Sequence, residues 1–218
     1  MKYRHVIFIV ILILLIDQTL KFWIKTHMFM QQEFIIFPNW FRIHFIENEG
    51  MAYGLKFGGD FGKIILTLFR LFAVVIGFVY MKKLVKEKFN TGLLVCGSLI
   101  LAGAAGNLID SMFYGLIFSD SVGYEVAKFM PGGGGYGTFL HGRVVDMLYF
   151  PIYEGYLPKW IPFKGGDYFV FFRPVFNIAD AAISVGVITI LLFQKRFFGN
   201  HLQPKTAGQP VTQDHVIE

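Results

Sequence analysis

The chain has 218 residues, of which 55% are hydrophobic, 18% aromatic and only 16% charged. A soluble domain of this length has too little interior to bury so much apolar surface, so the composition excludes an ordinary water-soluble enzyme and predicts an integral membrane protein. The net charge of +5 does not indicate binding of nucleic acid, because the basic residues stand beside apolar runs and form no single stripe.

Four apolar segments follow one another along the chain. Each has 18 or 19 residues, close to the ~20 residues that a hydrocarbon core about 30 Å thick requires. They are residues 6–24, 64–81, 91–109 and 175–193. Between them lie two long connections, residues 25–63 and 110–174, and a polar tail occupies 199–218. The sequence therefore predicts one membrane α-helical domain over residues 1–198, with four transmembrane helices.

The basic residues predict the orientation of this domain. Lys2 and Arg4 precede the first segment, lysines fill the link at 82–90, and Lys195 and Arg196 follow the fourth segment. Short flanks rich in lysine and arginine stay in the cytoplasm. We therefore expect both termini and the polar tail in the cytoplasm, and the two long connections outside it.

Under this topology the unusual polar residues of the apolar segments gather near the outer leaflet. They are Asp17, Gln18 and Lys21, then Asn107 and Asp110, then Asn177 and Asp180, together with ENEGMAYG (47–54) and HGRVVD (141–146) of the outer connections. One carboxylate at membrane depth costs about 2.5–3.5 kcal/mol or more. Such a concentration at one depth indicates a functional site.

Some of these residues also have purely structural explanations. Asp17 and Lys21 are spaced i, i+4 and could simply pair on one helix face. Asn107 and Asp110 could be a helix end that meets water. Arg70, early in the second segment, is expected to extend its guanidinium outward to the membrane surface.

Known catalytic motifs narrow the chemistry of the site. No H-E-x-x-H zinc motif is present, and neither Ser98 nor Ser184 lies in a G-x-S-x-G turn. Cys96 is the single cysteine and lies in the predicted cytoplasmic half of its helix. Aspartates with amide neighbours remain. Two nearby aspartates in a low dielectric share one proton, so one can activate water while the other polarises a carbonyl. The residues therefore point to metal-free aspartyl hydrolysis.

Five motifs also appear in a familiar order: DQTLK (17–21), ENEGMAYG (47–54), GNLID (106–110), GRVVD (142–146) and FNIAD (176–180). In their order and spacing the chain resembles the lipoprotein signal peptidases, the signal peptidase II family, from the first predicted helix to the fourth. The resemblance implies that Asp146 and Asp180 form the catalytic pair. The other residues that it implicates are the supporting amides Asn107 and Asn177, the outer-loop residues Asn48 and Gly50, the pair Asp17 and Lys21, and Asp110.

The resemblance also implies a substrate, namely a prolipoprotein whose cysteine already carries diacylglycerol. The enzyme would cut just before that cysteine, near the extracytoplasmic leaflet of the bacterial cytoplasmic membrane. Membrane lipid is the only other expected partner. We expect a monomer that uses no metal or cofactor and binds no nucleic acid.

The chain departs from the family pattern at two places. Ser111 follows GNLID where relatives commonly have arginine, and Arg143 is expected to supply that guanidinium. About 25 additional residues, 116–140, include PGGGGYG and are interpreted either as a lid or as a surface loop. The residues around FRIHF (41–45) predict short strands in a small extracytoplasmic subdomain.

Three other classes of protein compete with this interpretation. An ion or proton transporter would place its carboxylates near the midplane of the bilayer, with a path to both sides. The inner halves of the predicted helices hold no such residues. A lipid-binding scaffold would explain the topology but not the convergence of two aspartates. An intramembrane protease with a G-x-G-D motif is excluded, because that motif is absent.

Overall fold

The computed structural model describes residues 1–38, 40–50 and 59–202, and these residues form a mostly helical chain with a small amount of β-structure. Three helices dominate: α1 at Tyr3–His27, α2 at Gly59–Lys86 and α3 at Thr91–Ile109. A π-helical turn at Asp110–Tyr114 and a short helix, α4 at Gly115–Ile117, continue α3.

Three stretches of the described chain are long and apolar enough to cross a membrane. They are Tyr3–His27, Phe61–Lys86 and Thr91–Ile117. Each contains one of the first three predicted segments and extends beyond it, because the helix continues through polar residues at its ends. The predicted helices are confirmed as helices of sufficient length and apolar composition, and their crossing of a membrane stays a prediction.

The fourth predicted segment differs from its expected form. The helix α5 runs over Ile178–Leu192, and α6 follows it at Gln194–Leu202. Residues Val175 and Phe176 form a strand instead, so α5 begins three residues later than the predicted segment. Its 15 residues correspond to about 22 Å of helix. The four-span arrangement therefore stays a prediction. Residues 203–218 of the predicted tail lie outside the described residues.

Small residues let α3 lie at the centre of the helices. A Cβ atom on Gly103 would stand 2.2 Å from the carbonyl oxygen of Ala179 in α5. On Gly106 it would stand 2.7 Å from the carboxylate of Asp17 in α1. Only glycine permits such close approach of neighbouring backbones. The C-terminal end of α3 is thereby enclosed by α1 and by the first turn of α5.

Six short strands form the β-structure of the described chain. They are β1 at Glu33–Phe37, β2 at Phe41–Asn48, β3 at Val144–Tyr149, β4 at Tyr153–Tyr156, β5 at Tyr168–Phe171 and β6 at Val175–Phe176. The main sheet has the antiparallel order β1-β2-β3-β6, while β4 and β5 form a separate hairpin. The predicted small β-structured region is therefore present.

An apolar cluster attaches the main sheet to the C-terminal end of α1. Its buried members include Ile24 from α1, Met28 directly after it, Phe45 from β2, and Val145 and Met147 from β3. Burial of a large apolar side chain stabilises a fold by about 1.5–3 kcal/mol. The sheet is therefore held against the helices, and this attachment brings β3 to the end of α3.

The glycine-rich segment 116–140 folds against α1 and α4. Its Phe118 is fully buried and contacts the rings of Phe22 and Tyr114. Backbone bonds also tie it down, including Gly137 N–H to the carbonyl of Gly115 at 2.9 Å. These contacts favour a packed cap on α1 over a lid or an untethered loop.

Candidate active site

Asp146 lies in β3, directly across the ladder from Ile46 of β2. Its side chain is almost completely buried. The Nδ2 group of Asn177 donates to Asp146 Oδ1 at 2.6 Å, and the Nδ2 group of Asn48 donates to Asp146 Oδ2. Each carboxylate oxygen therefore has an amide donor on a different element.

Asp180 lies in the first turn of α5 and keeps part of its surface exposed. Asn177 caps this helix: its Oδ1 accepts from the backbone N–H of Asp180 at 2.9 Å. In return, Asp180 Oδ2 accepts from the backbone N–H of Asn177 at 3.4 Å. A helix N-terminus favours negative charge.

Asn177 links the two aspartates, because it bonds to both of them through one fully buried side chain. Asn107 extends the link from α3. Its Oδ1 accepts from Lys21 Nζ at 3.0 Å and from Asn177 Nδ2 at 3.1 Å, and its Nδ2 donates to Asp180 Oδ1 at 2.7 Å. These partners fix which end of the amide faces Asp180.

A buried ionic group supports these amides from α1. Lys21 is completely buried and pairs with Asp17 at 2.9 Å and with Asp110 at 2.7 Å. Asp17 Oδ1 also accepts from the backbone N–H of Ala179 at 3.0 Å, while Asp110 Oδ2 accepts from that of Val145 at 3.4 Å. The three residues thus bond the starts of both elements that carry the aspartates.

Gln18 was noticed in the sequence only for its depth, yet it belongs to this group. Its Nε2 donates to Asp110 Oδ1 at 2.8 Å and to Asp17 Oδ2 at 3.1 Å. Its Oε1 accepts from the Tyr114 hydroxyl at 3.2 Å. The available signal was its position between two charged residues of an apolar helix.

Burial and the negative charge of Asp180 raise the pKa of Asp146 from its usual 3.8 to about 8. The positive charge of Lys21 and the donors on Asn177 and Asn48 oppose that rise only in part. Asp146 therefore retains its proton near neutral pH. A protonated carboxyl can donate to an oxygen, and an ionised Asp180 can accept a proton from water.

The end of β2 carries the outer-loop residues. Asn48 Oδ1 accepts from the backbone N–H of Gly50 at 2.5 Å, which leaves its Nδ2 group facing Asp146. Gly50 has a φ of +82°, a conformation that other residues rarely adopt. Residues 51–54 of the predicted ENEGMAYG motif lie outside the described residues.

The two arginines have different outcomes. Arg143 does not turn to the aspartates; its Nη1 bonds to Asp120 at 2.6 Å and to Glu47 at 3.4 Å. The expectation for Arg143 was wrong, because its partners come from distant parts of the chain. The guanidinium of Arg70 lies beside Ser111, with Nη1 3.4 Å from the serine Oγ. Its expected reach toward the membrane surface stays a prediction.

A second buried ionic group joins the packed segment 116–140 to the sheet. Lys25 is completely buried, pairs with Glu47 and donates to Ser121 Oγ at 3.0 Å. Sequence reasoning missed this group. The available signal was the spacing of Lys25 four residues after Lys21, which places both lysines on the same face of α1.

Among the described residues, no three histidine, cysteine, aspartate or glutamate side chains are grouped to hold a metal ion. The oxygens of Asp146 and Asp180 are bonded to amide donors instead. The expectation of a metal-free mechanism stays a prediction that a chelator can test.

Comparison with known proteins gives concordant matches. Residues 9–196 match the family model described as signal peptidase (SPase) II. A lipoprotein signal peptidase of Porphyromonas gingivalis is 48% identical over 208 residues, covering 94% of this chain and 90% of that protein. A lipoprotein signal peptidase of Amoebophilus asiaticus is 38% identical, covering 96% of this chain and 85% of its own length.

Two solved structures, each described as a bacterial membrane enzyme determined by the in meso method, share the fold. One, at 2.3 Å resolution, has a TM-score of 0.54 and 26% identity, with 94% of each chain covered. The other, at 1.9 Å, has a TM-score of 0.53 and 27% identity, covering 87% of this chain and 92% of its own.

Proposed function

Since the chain belongs to the signal peptidase II family, bacterial membrane peptidases that act on lipoprotein signal peptides, we propose that Asp146 and Asp180 are its catalytic pair. The substrate is a prolipoprotein, and the bond cut is the one just before its diacylglyceryl-modified cysteine. The observation that carries the proposal is the link through Asn177, which bonds both aspartates with one buried amide.

The two aspartates take different roles because their surroundings differ. Asp180, ionised at a helix N-terminus, accepts a proton from a water molecule while the oxygen of that water attacks the scissile carbonyl carbon. Asp146, protonated by virtue of its raised pKa, donates to the carbonyl oxygen. The product of this step is a neutral tetrahedral diol. The proton now on Asp180 then moves to the leaving nitrogen as the carbon–nitrogen bond breaks, and Asp146 recovers its own proton from the diol.

The amides and the buried ions orient this pair. Asn107 and Asn177 each hold one aspartate oxygen, and Lys21 fixes Asn107 from behind. Such preorganised donors accelerate a reaction because they need no rearrangement as charge shifts. Asp17 and Asp110 balance the charge of Lys21 and tie α5 and β3 to it.

The proposal includes a location. The helices span the cytoplasmic membrane four times, with both termini inside, and the pair lies near the outer leaflet. A substrate anchored by its own apolar segment would present its cleavage site at that depth, and the exposed apolar faces of the helices would contact its diacylglyceryl group. The enzyme acts as a monomer without metal or cofactor.

The test is cleavage of a diacylglyceryl-modified prolipoprotein by purified protein. Asp146→Asn and Asp180→Asn should each lower kcat by about 10³-fold, a typical contribution of a general acid or base. Asp167→Asn, which changes an exposed aspartate of the β4–β5 hairpin, is the matched control and should keep full activity.

Each variant is checked for membrane insertion, helicity and thermal unfolding, and the wild type is assayed again with a chelator. Near-normal cleavage by either folded site variant would remove that aspartate from the mechanism. Loss of wild-type activity in the chelator would replace the metal-free mechanism with a metal-assisted one.

A further inference from the structure

Arg70 is a charged residue deep within an apolar helix. It lies eleven residues after the start of α2, about 16 Å along the helix axis. A cation at such depth is expensive unless it faces other protein groups. Arg70 is half-buried and directs its guanidinium toward the outer end of α3.

The guanidinium contacts Gly50 closely. Its Nη2 donates to the Gly50 carbonyl, and a Cβ atom on Gly50 would stand 2.5 Å from Nη1. Its Nη1 faces Ser111 Oγ, whose own hydroxyl donates to the carbonyl of Asn107 at 2.9 Å and so presents a lone pair to Arg70. The negative charges of Asp180 and Asp110 both favour the cation.

The peptide of Gly50 is also the group that orients Asn48. Its N–H donates to Asn48 Oδ1, and the Nδ2 group of the same amide donates to Asp146. Glycine has little intrinsic preference for one conformation, so an outside contact restricts the backbone of Gly50, whose φ is positive. Arg70 supplies that contact.

We propose that Arg70 is a positioning residue for the catalytic pair, holding Gly50 so that Asn48 presents its amide to Asp146. The inference rests on the proposed function, since it assigns a role toward the same aspartates. Arg70 touches neither of them through the bonds described, so it acts through Gly50 and Asn48.

The first test replaces Arg70 by methionine, which keeps an unbranched apolar stem and removes the guanidinium with its charge and donors. In a folded Arg70→Met protein, kcat should fall about 10- to 100-fold through misplacement of the pair, with KM unchanged. Arg70→Lys should recover part of the loss, because an ammonium can still donate to Gly50. Arg173→Met makes the same change at an exposed arginine and should be silent.

The second test combines these variants with Asn48→Ala. If Arg70 acts through Asn48, the double variant Arg70→Met/Asn48→Ala should be no slower than Asn48→Ala alone, because coupled sites are not additive. A merely structural role would multiply the two losses. Should Arg70→Met fail to insert or fold, the same cycle is run with Arg70→Lys, whose partial loss should vanish without Asn48.

Several outcomes would overturn the inference: multiplied losses in the cycle, wild-type kcat in folded Arg70→Met, or a raised KM with kcat unchanged, which would make Arg70 a substrate contact. Failure of the proposed function looks different, because wild type would then not cleave the prolipoprotein, or folded Asp146→Asn and Asp180→Asn would. An active wild type with two inactive aspartate variants confines the failure to Arg70.

Discussion

Two aspartates that are equivalent in sequence have unequal surroundings in the fold. Asp146 is buried on a strand, while Asp180 is half-exposed at the N-terminus of α5. Two cations, Lys21 and Arg70, lie near these aspartates. They face four carboxyl groups in all, because Asp17 and Asp110 belong to the same network. This excess of carboxyl groups favours retention of a proton, and burial directs that proton to Asp146.

A pH profile should show this proton. Because the pKa of Asp146 is raised to about 8, the acid form is present below that pH and is lost as pH rises through it. We expect kcat/KM of wild type to fall by about tenfold per unit of pH above this value. The measurement is cleavage of the lipidated substrate between pH 5 and 10, with stability checked at each pH.

The variant Asn48→Ala tests the direction in which the pKa of Asp146 moves. Asn48 donates to Asp146 and thereby favours its ionised form, which lowers the pKa of that carboxyl. Removing the donor should raise the pKa further, so the alkaline limb of the slower variant should move to higher pH. If the alkaline limb stays in place or moves to lower pH, the loss of activity at high pH reflects a group other than Asp146.

At the scale of elements, segment 116–140 is bonded to the main sheet and stabilises its position. Arg143 and Glu47 lie in or beside the paired strands β3 and β2, and their side chains bond to Asp120 and Lys25. The Tyr136 hydroxyl accepts from the backbone N–H of Arg143 at 2.6 Å. Burial raises the pKa of Tyr136, so the hydroxyl stays protonated at physiological pH.

Tyr136→Phe should therefore destabilise the fold without touching the chemistry. It leaves the N–H of Arg143 without its acceptor, which costs about 1–3 kcal/mol for a buried group. We expect a lower unfolding temperature in detergent and an unchanged pH profile. Tyr124→Phe removes an exposed hydroxyl and is the control. Equal unfolding temperatures for the two variants would show that the bond from Tyr136 to Arg143 does not stabilise the fold.

For the whole molecule, the open question of architecture is whether α5 crosses the membrane. Its 15 residues are apolar but fewer than those of the three helices that are long enough to span. The start of α5 is bonded to α1, because the Ala179 N–H donates to Asp17, and to α3, because Asn107 donates to Asp180. If the helix spans, its far end must emerge on the cytoplasmic side, beside the link between α2 and α3.

Cysteine labelling can decide this in a Cys96→Ala background. Single cysteines replace three exposed lysines: Lys83 at the end of α2, Lys164 in the β4–β5 hairpin and Lys195 in α6. With a membrane-impermeant maleimide on intact cells, only Lys164→Cys should react, because the proposed topology places the other two positions in the cytoplasm. Permeabilised cells, in which all three should react, are the control. Reaction of Lys195→Cys in intact cells would show that α5 does not cross the membrane.

Local spacing in the sequence was sufficient to predict the Asp17–Lys21 pair, whose members lie one helical turn apart. The cap that Asn177 forms on α5 was not predicted, because the predicted segment began at residue 175. Composition and apolar length predicted the membrane class and three helices long enough to span, because both depend on nearby residues alone. The five ordered motifs pointed to the family and to the residues proposed for its site.

What only the tertiary structure decided involves partners far apart in the chain. The pairing of β6 with β3 moved the start of α5, and Lys25 found Glu47 across the sheet. The guanidinium beside Ser111 is that of Arg70, while Arg143 pairs with Asp120. Long flexible side chains take their direction from whichever charges and carbonyls the fold brings near. The sequence determined which charged groups the membrane protein contains, and the packing of α1, α3 and the sheet determined which of them meet.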